Sequence, residues 1–141
     1  MTKSFAASVA AFGEMTERQM LATFLGSAQD TTELMTRRQP SVRETGGSFE
    51  VGKVPVDTGQ LINSFALDVG GAVVAEGRAD YSAALATADI GDPIKAAFTA
   101  PHARAVEYGA EGREGRFFVR EAVQQWPAIV DTNARHVTGR T

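Results

Sequence analysis

Apolar residues recur at helical spacing between positions 16 and 38, and this periodicity limits most strongly how the chain folds. Thr16 stands where an N-cap residue is expected, and Gln19 occupies the capping-box position three residues later. The pattern predicts a helix from about 16 to 38, roughly 34 Å long at about 1.5 Å per residue. Its apolar positions are Met20, Leu21, Phe24, Leu25, Ala28, Leu34 and Met35.

The segment 41–53 follows the point where Gln39 and Pro40 are expected to end this helix. It holds three glycines and shows no periodicity, so the sequence predicts a long mobile loop. Loops of such length inside a small domain are usually functional or disordered.

Glycines and β-prone residues indicate a small sheet in the middle of the chain. Gly70 and Gly71 form a two-residue hairpin signal between predicted strands at 64–69 and 72–77. A third strand is predicted at 94–99. The Ala-rich stretch 80–92 fits neither a helix nor a strand clearly.

Helical patterns return near the end of the chain. Residues 103–108 form a short helical piece, 109–115 a loop with three glycines, and 117–136 a helix that Pro127 is expected to kink or break. The predicted fold is therefore α+β: a long N-terminal helix and a C-terminal helix packed on a small antiparallel β-sheet. The length of 141 residues fits a single domain, 1–141.

Composition excludes several classes of function. The absence of cysteine excludes disulfide scaffolds, zinc–thiolate sites and cysteine nucleophiles. A net charge of −3 disfavours sequence-specific DNA binding, which relies on neutralising phosphates. No apolar run reaches the length of a membrane span, and the N-terminus does not resemble a signal peptide. We therefore expect synthesis in the cytoplasm and no membrane partner.

No motif indicates a metal or a cofactor. His102 and His136 lie on different elements without acidic neighbours at ligand spacing. The glycines of 109–115 are not followed by the Lys-Ser/Thr of a phosphate-binding loop. Arginines are frequent nearby, but interspersed glutamates favour a solvated face over a phosphate site. These arginines are Arg104, Arg113, Arg116 and Arg120.

The triplet Asp57-Thr58-Gly59 has two interpretations. Retroviral-type aspartic proteases use this triplet, with two copies whose carboxylates share a proton across a dimer. Here, however, Pro55 precedes it, and an amphipathic stretch with Gln60 follows it. The favoured interpretation is that Asp57 caps a short helical turn.

Glu107 and the pair Phe117-Phe118 are interpreted as structural. No second acid or nucleophile accompanies Glu107, which is expected to pair with Arg116, Arg120 or a neighbouring subunit. Adjacent residues on a helix point about 100° apart. At most one of the two phenylalanines is therefore expected to face the core, and the other is available to a partner.

Two motifs in this order resemble the tailed-phage neck or tail-completion family, which includes the minor tail protein Z of phage lambda. The first runs from Val54 to Phe65, and the second, Val-Glu-Tyr-Gly, leads into an Arg-Phe-Phe entry to the last helix. The order and spacing match from about 16 to 126. Phe117 departs from the family, which usually has Pro there. The residues that carry the resemblance are Pro55, Asp57, Thr58, Gly59, Leu61, Glu107, Tyr108, Gly109, Phe117 and Phe118.

The resemblance implies a non-catalytic virion protein at the head–tail junction. Its expected partners are further copies in a hexameric ring, a head-closure or connector protein, and a tail terminator or tail tube protein. DNA would pass through the lumen without sequence-specific binding.

Interface residues are expected on the surface, in the 41–53 loop and the terminal segments, and not in the Asp57-Thr58-Gly59 motif. The alternatives left open are an aspartic protease that uses Asp57 and a prophage-derived binding protein. The candidate interface residues are Phe5, Arg43, Phe49, Arg116 and Trp126.

Overall fold

The computed structural model describes residues 16–57, 59–77, 81–110 and 112–139. Two predictions therefore lie outside the described residues: the N-terminal segment with Phe5 as a contact, and the local role of Thr58.

Helix α1 spans Glu17–Met35 and begins with the predicted capping box. The Thr16 hydroxyl accepts a hydrogen bond from the Gln19 backbone N–H at 3.2 Å, and the Gln19 side chain accepts one from the Thr16 N–H at 3.1 Å. The helix ends three residues before the predicted end. The cause is that the chain turns into an extended segment at Arg38.

The buried face of α1 is more polar than its apolar periodicity suggests. The buried Thr23 and Ser27 donate hydrogen bonds to the carbonyl oxygens four residues earlier, at 2.8 and 2.6 Å. Such bonds satisfy hydroxyl groups that would otherwise be costly to bury. Phe24 and Leu25, which the periodicity placed in the core, are half-buried.

A parallel strand pair flanks the predicted loop 41–53. Strand β1 (Arg38–Pro40) pairs with β2 (Val54–Val56), and helix α2 (Val42–Thr45) lies between them. The Gln39 side chain donates to the Glu50 and Lys53 carbonyl oxygens at 2.8 and 2.7 Å. Within 41–53 the structure has the four-residue helix α2, which the sequence did not predict. The prediction that this segment is a mobile loop stays a prediction.

The predicted hairpin is confirmed. Strands β3 (Phe65–Val69) and β4 (Ala72–Glu76) are joined by Gly70 and Gly71, whose φ angles are 64° and 94°. Strand β5 (Ile94–Phe98) pairs antiparallel with the other side of β3, which gives the order β4-β3-β5. Because β3 alternates buried and half-buried residues, one face of the sheet contacts the core.

Short helices and a small ribbon surround this sheet. Helix α3 follows β2, α4 precedes β5, and α5 follows it. Strands β6 and β7 then form a ribbon that leads to α6 and α7. The predicted break near Pro127 is confirmed, since α6 ends before Gln125 and Pro127 lies in the first turn of α7. The bounds are α3 Gln60–Asn63, α4 Tyr81–Leu85, α5 Ala103–Tyr108, β6 Gly109–Ala110, β7 Arg113–Glu114, α6 Phe118–Gln124 and α7 Trp126–Thr138.

Phe98 joins two parts of the core. It packs edge-on against Phe65, with ring centroids 5.2 Å apart, and against Phe118 at 4.9 Å. Phe65 belongs to the cluster between α1 and the sheet. Phe118 belongs to the cluster beneath α3, α5 and α6. The two terminal helices also contact each other, where Asn133 donates to Asp30 at 2.9 Å. The architecture is α+β, as predicted.

In the part of the chain that the structure describes, no helix is both long and apolar enough to cross a membrane.

Candidate functional site

The second motif is built around a buried carboxylate. Glu107, at the end of α5, is 6% exposed, and its two oxygens accept hydrogen bonds from the N–H groups of Val119 (3.1 Å) and Arg120 (2.9 Å). These N–H groups belong to the first turn of α6, where no earlier carbonyl is available to accept them. Glu107 therefore caps α6 from a different helix, as a carboxylate suits the positive end of a helix dipole.

This geometry corrects one prediction and confirms another. Glu107 is a structural carboxylate, as expected. Arg120 donates to Glu107 through its backbone N–H and not through its guanidinium. The Arg116 guanidinium donates instead to the Glu114 carbonyl oxygen at 2.7 Å.

The residue at the N-cap position of α6 explains why a distant carboxylate is used. Phe117 has φ 50° and ψ 37° and offers no side-chain oxygen to the first turn. Proline cannot adopt a positive φ. The chain therefore enters α6 by a turn that a proline at position 117 could not form. The family that the sequence resembles usually has Pro at this position.

The ribbon between Glu107 and Phe117 is closed by backbone contacts. The N–H groups of Arg116 and Phe117 donate to the Val106 and Glu107 carbonyl oxygens at 2.8 and 3.1 Å. Gly109 has φ 87° and ψ 157°, and a Cβ added there would lie 2.5 Å from the Arg113 carbonyl oxygen. A glycine is required at this point of the motif because the returning chain leaves no room for a side chain.

Phe117 and Phe118 differ in burial, as predicted. Phe118 is 1% exposed and lies in the core cluster with Leu61 and Ile62. Phe117 is half-buried, and the Arg120 guanidinium lies 5.0 Å from its ring centroid.

Two of the candidate interface residues contact each other. The Arg116 guanidinium lies 3.7 Å from the centroid of the Phe49 ring. Burial lowers the pKa of Arg116, Glu114 opposes this shift and Arg113 adds to it. The Gly52 N–H also donates to the Arg116 carbonyl oxygen at 2.7 Å. The end of the 41–53 segment is thus attached to the entry of α6.

Among the described residues of the first motif, Leu61 contributes to the core, and Asp57 does not cap α3. Helix α3 begins at Gln60 with Gly59 at its N-cap, where φ is 84° and no side chain is present. Asp57 is exposed, two residues before that N-cap. The prediction that Asp57 caps this turn is therefore wrong. Pro55 lies in β2, and Leu61, 5% exposed, joins the cluster around Phe118.

The remaining predicted residues are scattered over the fold. Arg43 is exposed on α2, whereas Trp126 is half-buried and packs edge-on against Phe24, with centroids 6.5 Å apart. His102 and His136 are both exposed. Within the described ranges no group of three or more His, Cys, Asp or Glu side chains is placed to hold a metal ion.

A shallow depression beside the second motif was not predicted. Its described lining residues are Pro101, Arg104, Ala105, Tyr108 and Gly109. Tyr108 is 64% exposed, which is unusual for an aromatic side chain next to a buried motif. The spacing of 101, 104, 105 and 108 is helical, and this was the signal in the sequence that these residues share one surface.

Searches of protein-family models, of curated proteins and of solved structures find no match to this chain.

Proposed function

We propose that this chain is a non-catalytic structural protein of the tailed-phage neck. Copies of it form a hexameric ring that joins the head connector to the tail terminator or tail tube. DNA passes through the lumen of the ring. The proposal rests on the two motifs described above and on what their residues do in the fold.

One observation carries this proposal: the two motifs, distant in sequence, meet in one structural unit. Leu61 of the first and Phe118 after the second share a core cluster with Val54 and Ile62. Residues that mark the resemblance therefore build the joint between α3, α5 and α6. Motif residues that build the core suit a protein whose work is mechanical.

The second motif's acid also fits a mechanical role. Both oxygens of Glu107 are engaged by backbone N–H groups, and the residue is buried. A general acid or base must reach a proton on its substrate. Glu107 instead joins the end of α5 to the first turn of α6, and the next residue, Tyr108, is exposed.

Size and charge are compatible with a ring around DNA. A domain of 141 residues has a radius of gyration of roughly 14 Å and a diameter of roughly 35 Å. Six such bodies in contact enclose a hole of about the same width, reduced by their interfaces, through which a duplex fits. A net charge of −3 suits a lumen that must not retain phosphates.

A joining assay tests the proposal. Heads and tails from an infection that lacks this protein are mixed, and purified protein is added. We expect joined particles to appear only when the protein is present, and their number to rise with its concentration. Heads and tails that join equally well without it would contradict the proposal.

The variant Asp57→Asn separates this function from the protease alternative. Asp57 is exposed and does not cap α3. We therefore expect the substitution to change the free energy of unfolding by less than about 0.5 kcal/mol. Joining activity should equal that of the wild type. A protease of the retroviral type would lose its catalytic carboxylate and all cleavage. A folded Asp57→Asn protein that fails to support joining would favour the protease.

A further inference from the structure

The depression beside α5 has the character of a docking surface. We call it the Tyr108 depression, formed by Pro101, Arg104, Ala105, Tyr108 and Gly109. It offers an exposed aromatic ring, a proline and an alanine. Among its described lining residues Arg104 carries the charge, and its side chain is exposed. An apolar surface with one cation at its rim favours a partner that presents an apolar side chain next to a carboxylate.

This chain presents such a group at the turn Asp89–Asp92, which we call the Ile90 turn. The Asp92 N–H donates to the Asp89 carbonyl oxygen at 3.1 Å, and the Asp92 carboxylate accepts from the Asp89 N–H at 2.8 Å. Gly91 has φ 89°, which the third position of a type II turn requires. Ile90, at the second position, is 48% exposed, and Asp89 beside it is exposed. The turn therefore presents the exposed Ile90 side chain, which we call the knob, with the Asp89 carboxylate beside it.

The knob and the depression lie at opposite ends of strand β5. The Gly70 N–H donates to the Pro93 carbonyl oxygen at 2.9 Å, which attaches the Ile90 turn to the tip of the hairpin. At the other end the Thr99 N–H donates to the Ser64 carbonyl oxygen at 3.0 Å, just before Pro101. The five residues of β5 between them span about 17 Å at roughly 3.3 Å per residue.

We propose that the Ile90 turn of one copy docks into the Tyr108 depression of the next copy. Ile90 packs against Tyr108 and Pro101, and the Asp89 carboxylate pairs with the Arg104 guanidinium. This inference rests on the proposed ring, for which it names the two contacting surfaces.

Charge favours this head-to-tail arrangement over a two-fold dimer. A two-fold contact through the Ile90 turn would bring Asp89 and Asp92 close to their own copies, and like charges repel. A two-fold contact through the depression would do the same with Arg104. Pairing one surface with the other removes both repulsions. A head-to-tail contact also propagates from copy to copy, and it gives a ring where the rotation between copies closes.

The local charges around each surface agree with this pairing. Asp68 and Lys95 lie opposite each other near the Ile90 turn, so Asp89 and Asp92 leave that end acidic. At the depression, Arg104 is the charged residue among the described lining residues, and it is the charge that a docked carboxylate meets.

Two variants of the full chain test the arrangement by complementation. Ile90→Asp removes the knob, and Tyr108→Asp blocks the depression. Both positions are exposed, so both variants should keep the wild-type circular dichroism and melting behaviour. Each alone is expected to be monomeric in sedimentation velocity, because each lacks one of the two surfaces. Their mixture retains one intact knob and one intact depression, so it should form a 1:1 dimer that grows no further.

A charge exchange tests the proposed ion pair. Asp89→Arg and Arg104→Glu are each expected to weaken self-association about tenfold or more, and the double variant is expected to restore most of it. Native mass spectrometry of the same samples gives the stoichiometry.

Three results would overturn the inference. The mixture of Ile90→Asp and Tyr108→Asp could remain monomeric where the wild type associates. The wild type could remain monomeric at its highest soluble concentration. The charge-exchanged double variant could associate no better than either single variant. Failure of the proposed function is a separate result, namely that the protein associates as described and yet does not support joining of heads and tails.

Discussion

Gly109→Ala is expected to destabilise the protein by about 3–5 kcal/mol. Gly109 has φ 87° and ψ 157°, a backbone conformation that is almost exclusive to glycine. An added Cβ would also lie 2.5 Å from the Arg113 carbonyl oxygen and 2.9 Å from the Gly115 nitrogen. These neighbours are backbone atoms of the returning segment 113–115, so no side-chain rotation relieves the overlap.

Gly112→Ala is the matched control. Gly112 lies in the same ribbon and also has a positive φ, 80°, but nothing lies within 4 Å of an added Cβ. This substitution should lower the free energy of unfolding by about 1–2 kcal/mol, from backbone strain alone. Urea denaturation followed by circular dichroism measures both. Equal losses for the two variants would show that the close return of the chain at Gly109 is not a constraint.

Glu107→Ala is expected to lower the free energy of unfolding by about 2–4 kcal/mol. The substitution leaves the Val119 and Arg120 N–H groups without their acceptor at the start of α6. It also leaves a space where a buried side chain stood. Glu107→Gln should lose about half as much, because the amide oxygen can accept one of the two bonds.

Glu114→Ala controls for the removal of a negative charge from the same region. Glu114 is exposed, so its replacement should change stability by less than about 0.5 kcal/mol. Thermal and urea unfolding of the three variants and the wild type give the comparison. If Glu107→Ala were as stable as Glu114→Ala, the cap would not be what holds α5 and α6 together.

The elements that the sequence predicted correctly are those with local signals. Thr16 and Gln19 bond to each other within one turn, and Gly70 and Gly71 supply the positive φ angles of the hairpin where they stand. The break before Pro127 also follows from the residue itself. In each case the physical cause lies within a few residues of the feature, so the amino-acid sequence alone shows it.

The features that the sequence did not show are the start of one short helix and contacts between distant residues. Helix α3 begins after Gly59, so Asp57 does not cap it, although Asp57 and Gln60 offered a plausible cap. The parallel pair of β1 and β2 depends on Gln39, whose amide reaches carbonyls 11 and 14 residues away. No periodicity in the sequence shows such bonds.

The candidate site shows the same division. The sequence indicated that Glu107 is structural and that one of Phe117 and Phe118 faces the core, since neighbouring residues decide these points. It did not show that the partners of Glu107 are backbone N–H groups 12 and 13 residues later. Nor did it show the depression, because its lining combines α5 with Pro101 and Gly109.

The central claim, that this chain is a ring-forming component of the phage neck, is tested most directly by electron cryomicroscopy of the neck in intact particles. We predict a ring of six copies between the connector and the tail, into which α1, the three-stranded sheet and α7 fit as one body. We also predict that the Ile90 turn of each copy lies against Tyr108 of the next. A neck reconstruction in which every density is accounted for by other proteins, with this chain absent from the particle, would contradict the account.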